Sequence, residues 1–131
     1  MEKKNIDWAN LGFGYMKTDY RYVSNFTNGA WDAGTITEDD QITMSECAGV
    51  LQYAQTVFEG LKAYTTEDGK VVVFRPDLNA DRMIDSAKRL EMPVFPKDRF
   101  IDAIDQKTKK FFLERVNHLS TWTTSGELQD V

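Results

Sequence analysis

The sequence predicts an α+β fold: a mainly antiparallel sheet built from hairpins, with helices packed on one face. Three observations carry this reading. Two turn signals, Asn28-Gly29 and Asp68-Gly69, each stand between short runs rich in aromatic and β-branched residues. The strand-like runs come first along the chain. Two stretches with helical spacing of apolar residues follow them.

Residues 1–19 read as an irregular opening segment. Leu11-Gly12-Phe13-Gly14-Tyr15-Met16 sets glycines beside aromatics, but no strand precedes it and no third Gly follows at the spacing of a nucleotide-binding fingerprint. Residues 20–26 alternate and read as a strand. Asn28-Gly29 turns the chain, and Trp31 opens a returning strand to about Ile36. Thr37-Glu38-Asp39-Asp40-Gln41 is acidic but lacks the spaced ligands of a calcium loop, so it reads as a solvated turn. Residues 45–60 suggest a short helix ending at Gly60, although periodicity alone leaves helix and strand open. A strand over 61–65, the Asp68-Gly69 turn and a buried strand over 71–75 form the second hairpin. Asp77 is placed to cap a helix whose stripe is Ala80, Met83, Ile84, Ala87 and Leu90, stopped by Met92-Pro93. A second helix starts near Pro96 and puts Phe100, Ile101, Ile104, Thr108, Phe111, Phe112 and Arg115 on one side. Residues 120–131 are polar and without period.

The 131 residues amount to one domain. Sixteen Lys+Arg against 21 Asp+Glu leave a net charge of −5, which lacks the basic face a general nucleic-acid binder needs. Three Trp, five Tyr and eight Phe supply enough bulk for a core. The longest aliphatic or aromatic run is Val71-Val72-Val73-Phe74, against the roughly 20 residues of a membrane span. The first residues lack the apolar stretch of a secretion signal, so the expected location is cytoplasmic, with no membrane partner. Cys47 is the one cysteine and His118 the one histidine, too few for a Cys/His zinc site. Cys47 reads as a small buried hydrophobe and His118 as a solvated side chain.

Two places could carry chemistry. Arg82, with Ser86 one turn on, could grip a phosphate through a charge-assisted fork; the competing reading is a surface Arg paired with Asp81 or Asp85. Phe58-Glu59-Gly60 could give an aromatic wall and a close backbone approach; the competing reading is a core Phe before a helix-ending Gly.

The stretch Leu51-Gln52-Tyr53-Ala54-Gln55-Thr56-Val57-Phe58-Glu59-Gly60-Leu61-Lys62-Ala63-Tyr64 resembles a known family. So do Val73-Phe74-Arg75-Pro76-Asp77-Leu78-Asn79-Ala80-Asp81-Arg82-Met83 and Ser86-Ala87. Together they are similar to the small N-terminal domain of branched-chain amino-acid aminotransferases, fold-type IV pyridoxal-phosphate enzymes. The likeness covers about residues 5–105, and Trp8-Ala9-Asn10-Leu11-Gly12-Phe13 and Asn28-Gly29-Ala30-Trp31 fit it too. The resemblance implies pyridoxal 5′-phosphate as cofactor, with Arg82 on its phosphate. It implies that Phe58 lines an apolar substrate pocket, with Gly60 at the backbone bend of the same motif. Tyr53 would reach a neighbouring subunit's site, and Phe13 would line the site as well. The implied reaction moves the amino group of leucine, isoleucine or valine to 2-oxoglutarate, and an aromatic pocket suits such side chains.

The family pattern stops near residue 105. The expected organisation is a small domain over 1–105 and a divergent helix and tail over 106–131, with the large catalytic domain absent. That domain carries the family's catalytic Lys and the Glu that pairs with the pyridine nitrogen. Lys62 matches a position without that duty, and Lys107, Lys109 and Lys110 read as solvated. No catalytic residue is therefore assigned to this chain, and no transaminase activity is expected of it alone. Partners implied are an amino acid and a 2-oxo acid, and a second copy or a separate large domain docked on an apolar face. A non-catalytic interaction module is the rival of a different class. D-amino-acid aminotransferases and aminodeoxychorismate lyases share the fold, but the wording Phe58-Glu59-Gly60-Leu61-Lys62-Ala63-Tyr64 favours the branched-chain branch.

Overall fold

Asn28 and Gly29 both take positive φ, 52° and 78°, the backbone state that lets a two-residue turn follow the strand twist. In the computed structural model, which describes residues 17–114 and 122–124, this turn joins β2 (Phe26–Thr27) to β3 (Ala30–Trp31). The expected first hairpin is there, but each arm is broken in two. β1 (Arg21–Val23) pairs with β4 (Thr35–Thr37), antiparallel, with Tyr22 opposite Ile36. The break is held by Asp32. Its carboxylate accepts from Ser24 Oγ at 2.9 Å, Asn25 Nδ2 at 3.1 Å and the Gly34 backbone N–H at 2.9 Å. These local bonds compete with the ladder and stop it.

Beyond the solvated turn at 37–41, α1 (Gly49–Tyr53) is only five residues long. It ends at Ala54 in the left-handed region, not at Gly60 as the sequence suggested. Val57, Phe58 and Glu59 then form β5 (Val57–Glu59). The β-branched and aromatic content of Thr56-Val57-Phe58 outweighs helix propensity there. The second hairpin joins β6 (Ala63–Thr65) to β7 (Val71–Val73), with Tyr64 opposite Val72. Its turn is closed by Gly69 at φ 78°, whose N–H donates to the Thr66 carbonyl at 2.9 Å. The valine run is not buried throughout: alternation along the strand turns Val72 outward while Val73 packs against the core.

Helix α2 (Pro76–Arg89) is capped at Arg75, two residues before the expected Asp77 cap. Pro76 takes the first helical position, where a missing N–H costs nothing, and Arg75 precedes it in the left-handed region. Asp77 instead lies in the first turn and accepts a two-pronged bond from Arg75, Nε at 2.9 Å and Nη2 at 2.7 Å. That pair holds the Asp77 carboxyl down at about 2. The helix stops before Pro93 as expected. Glu91 takes positive φ, and the N–H groups of Glu91 and Met92 return to the carbonyls of Lys88 and Ala87. This six-to-one closure satisfies the helix end and drops Met92 into the core. Helix α3 (Lys97–Glu114) continues through residue 105. The stretch without period contributes β8 (Trp122–Thr124), which pairs antiparallel with β5.

All four ladders among the described residues are two-stranded and antiparallel, so the α+β expectation holds, with separate short ladders in place of one sheet. The core gathers Val57 from β5, Ala80, Met83 and Ala87 from α2, Met92 and Phe95 from the link, and Phe100 and Ile104 from α3. The N-terminal strands attach through aromatics. Trp31 stands edge-on to Phe95 at 5.0 Å between centroids, and its Nε1–H donates to the Val94 carbonyl at 3.0 Å. Arg99 lies over the Phe95 ring and donates to Tyr22 Oη, Ser24 Oγ and the Asp32 carbonyl. No helix among the described residues is long and apolar enough to cross a membrane. Cys47 is exposed rather than buried, because it lies in the turn before α1, where its N–H is bound by Ser45 Oγ. His118 lies outside the described residues.

Candidate functional site

Alternation along β5 decides the site's layout. Val57 and Glu59 turn inward and Phe58 turns outward. Glu59 is 8% exposed, and a buried carboxylate requires compensation. Helix α2, packed on β5, provides it. Arg82 Nε donates to Glu59 Oε1 at 2.9 Å, and Arg82 Nη2 donates to Oε2 at 2.8 Å. Asn79, one turn earlier on the same helix, donates from Nδ2 to Oε2 at 2.8 Å and to the Gly60 carbonyl at 3.0 Å. Both oxygens are thereby filled, and strand and helix are joined across 23 residues of sequence.

Arg82 is paired with neither Asp81 nor Asp85. Asp81 binds Lys97 Nζ at 2.6 Å instead, tying α2 to α3. The hydrogen bonds it donates to Glu59 push the Arg82 guanidinium further up from its already high range, so it stays a cation. Its side chain is 60% exposed. The fork uses one N–H on Nε and one on Nη2. A guanidinium has five, so three are not used by Glu59, two of them side by side on the Nη1–Nη2 edge.

Phe58 is 64% exposed, which removes the reading of a core Phe. Its ring leans over Gly60: a Cβ at Gly60 would meet the ring at 3.5 Å. Gly60 keeps an ordinary φ and is not a helix end. The glycine thus links the two sides, with its carbonyl held by Asn79 and its α-carbon under Phe58. Tyr53 stands exposed at the end of α1, with no hydrogen bond among the described residues to this group. Ser86 lies exposed on α2 beyond Arg82. Phe13 lies outside the described residues.

Glu59 and Asn79 are the residues the sequence reading missed. Their local signals were weak: Glu59 lies two positions from the apolar Val57, and Asn79 sits three before Arg82 beside buried Ala80. The pairing itself is tertiary and leaves no spacing to read.

The geometry defines a small α+β domain that presents a fixed guanidinium edge and an exposed aromatic on either side of one strand. No protein-family model matches the chain. Curated proteins do. A branched-chain-amino-acid aminotransferase of Haemophilus influenzae is 45% identical over 106 residues, covering 81% of this chain and 31% of that protein. A branched-chain-amino-acid transaminase of Bacillus subtilis is 39% identical over 105 residues, covering 79% of this chain and 30% of that protein. A methionine aminotransferase of Arabidopsis thaliana is 44% identical over 103 residues, covering 78% and 29% respectively. Over the matched four-fifths, the chain is 39–46% identical to curated branched-chain-amino-acid aminotransferases, as a fragment of that family would be. It spans under a third of the length of these curated relatives.

Proposed function

We propose that this chain is the small-domain part of a branched-chain amino-acid aminotransferase, with residues 1–105 as that domain and 106–131 as a divergent tail. Arg82 grips the phosphate of pyridoxal 5′-phosphate, and Phe58 forms a wall for an aliphatic side chain. The observation that carries the reading is the exposed guanidinium of Arg82, held on Glu59 by two bonds within a sequence match to these enzymes. The donor set fits a phosphate: the side chain of this permanent cation is 60% exposed, and three of its N–H groups are not used by Glu59, its one carboxylate partner among the described residues.

When bound, the cofactor supplies the electron sink for deprotonating an amino acid at its α-carbon. Arg82 anchors and orients it. Phe58, exposed and stacked over Gly60, offers apolar surface that gains by desolvating leucine, isoleucine or valine and presents no unpaired polar group. The methionine aminotransferase among the relatives fits the same logic, since its named substrate is also long and largely apolar. Tyr53 and Phe13 belong to the proposed pocket on the resemblance alone. Cytoplasmic residence and assembly with a second copy or a large-domain chain complete the proposal. The exposed Phe58, Tyr64, Val72 and Phe74 favour such assembly, and they equally suit a non-catalytic interaction module.

The test mixes this chain with a second chain carrying the rest of a branched-chain aminotransferase. Leucine-dependent formation of glutamate from 2-oxoglutarate is expected in the mixture and absent from either chain alone, and Arg82→Ala should abolish it. A mixture that associates and remains inactive favours the interaction module. Full activity in the Arg82→Ala mixture sinks the assignment of Arg82.

A further inference from the structure

We propose that Glu59 is the positioning residue of the Arg82 anion site. It fixes the guanidinium so that a phosphate ester meets a preset edge, and Asn79 holds Glu59 in turn. This inference rests on the phosphate reading of Arg82 and deepens it.

The argument begins with an apparent conflict. A carboxylate beside an anion-binding Arg cancels part of its charge, so by Coulomb attraction alone Glu59 weakens the site. Yet Glu59 is the best-held side chain here. It is buried, accepts three hydrogen bonds from two residues of α2, and sits on a strand of the core. An exposed arginine samples many rotamers, and an incoming ligand must freeze them. The two-pronged bond freezes them beforehand and fixes the plane of the guanidinium. The Nη1–Nη2 edge left unused carries two parallel N–H groups, the geometry that matches two phosphate oxygens. Asn79 adds a second brace, because the same amide group binds both Glu59 and the Gly60 carbonyl. The guanidinium is thereby registered against the strand that carries Phe58, so anion edge and aromatic wall keep a fixed relation.

Charge and positioning predict opposite signs, which makes the inference testable on the 131-residue chain. The probe is pyridoxine 5′-phosphate, which lacks the aldehyde and so does not react with surface lysines; inorganic phosphate is the second probe. Affinity is read by proton–nitrogen NMR titration at fixed ionic strength, with the Arg82 Nε–H followed directly. In the wild type that signal is expected to be slowly exchanging and to move on titration. Glu59→Gln, which removes one negative charge, is expected to weaken binding about two- to twelvefold, the range for freezing one rotamer-rich side chain. It should also collapse the protection of the Nε–H. Glu59→Asp keeps the charge but retracts the carboxylate and should weaken binding in the same sense. Tighter binding in Glu59→Gln with unchanged binding in Glu59→Asp overturns the inference, leaving Glu59 as a charge brake. A freely exchanging Arg82 Nε–H in the wild type overturns it without any variant. Arg82→Ala separates the two levels. If it leaves phosphate binding unchanged, or if the wild type shows no shift at Arg82, the underlying phosphate reading fails as well.

Discussion

Phe100 and Phe74 offer a matched pair of identical substitutions with opposite burial. Phe100 is 1% exposed on α3 within the cluster that includes Met83, Ala87 and Ile104. Phe74 is 83% exposed just after β7. Phe100→Ala removes about 100 Å² of buried apolar surface, about 2.5 kcal/mol at 25 cal/mol per Å². It also leaves up to about 100 Å³ of space, which adds about 2 kcal/mol if the helices do not close over it. Partial collapse of the site brings the expected loss to about 3–5 kcal/mol. Domains of this size are stable by about 5–15 kcal/mol, so the variant stands near the edge of folding. Phe74→Ala is expected to change stability by no more than about 0.5 kcal/mol. Urea unfolding followed by helical circular dichroism reads the difference. With a slope of about 1.5 kcal/mol per M, the Phe100→Ala midpoint should fall by about 2–3 M while the Phe74→Ala midpoint stays in place. Equal shifts in the two variants would refute the placement of α3 against α2 as the centre of the core.

Three further expectations follow from the same coordinates. Asn79→Ala strips a donor from buried Glu59 and from the Gly60 carbonyl, and should destabilise by about 1–3 kcal/mol in the same urea assay; a neutral result would mean that water replaces the amide freely. Gly34→Ala combines φ of 75° with a Cβ driven into the Tyr22 ring, whereas Gly29 at φ 78° has open space around it. Gly34→Ala should therefore cost clearly more than Gly29→Ala, whose strain alone is about 1 kcal/mol, and equal midpoints would contradict the packing of Tyr22. Asp77, lowered from 3.8 to about 2 by the hydrogen bonds from Arg75, stabilises the fold when ionised. The unfolded chain takes up this proton first, so the contribution is complete above about pH 4 and is lost as pH falls through 2. A carboxyl-carbon NMR titration of Asp77 should have its midpoint near 2, and Asp77→Asn should flatten the acid limb of stability against pH; a midpoint at 3.8 would remove the Arg75 pair.

Local chemistry made much of the chain legible in sequence order. Asn28-Gly29 and Asp68-Gly69 are turns because their residues tolerate positive φ, and the hairpins appear where those signals stand. The spacing of Ala80, Met83 and Ala87 fixed the buried face of α2, and Pro93 marked its end. Arg82 and Phe58 were legible as candidates because their motifs are local strings. The misreadings share a cause as well. Asp77 looked like a cap, but Arg75 and Pro76 began the helix sooner; residues 55–59 looked helical, but β-branched content and a place against α2 made them a strand. Residues 122–124 carry no period, and only pairing with β5 makes them a strand.

By itself, then, the sequence determined the class of fold, the turns, the faces of the long helices and the identity of the arginine, since each depends on residues within a few positions of one another. Tertiary structure alone decided what that arginine pairs with. Glu59 and Arg82 lie 23 residues apart, and they meet because alternation on β5 points the carboxylate at the flank of α2 that carries Asn79 and Arg82. A buried charge must find its partner wherever the packing brings one, and no local rule specifies where that is.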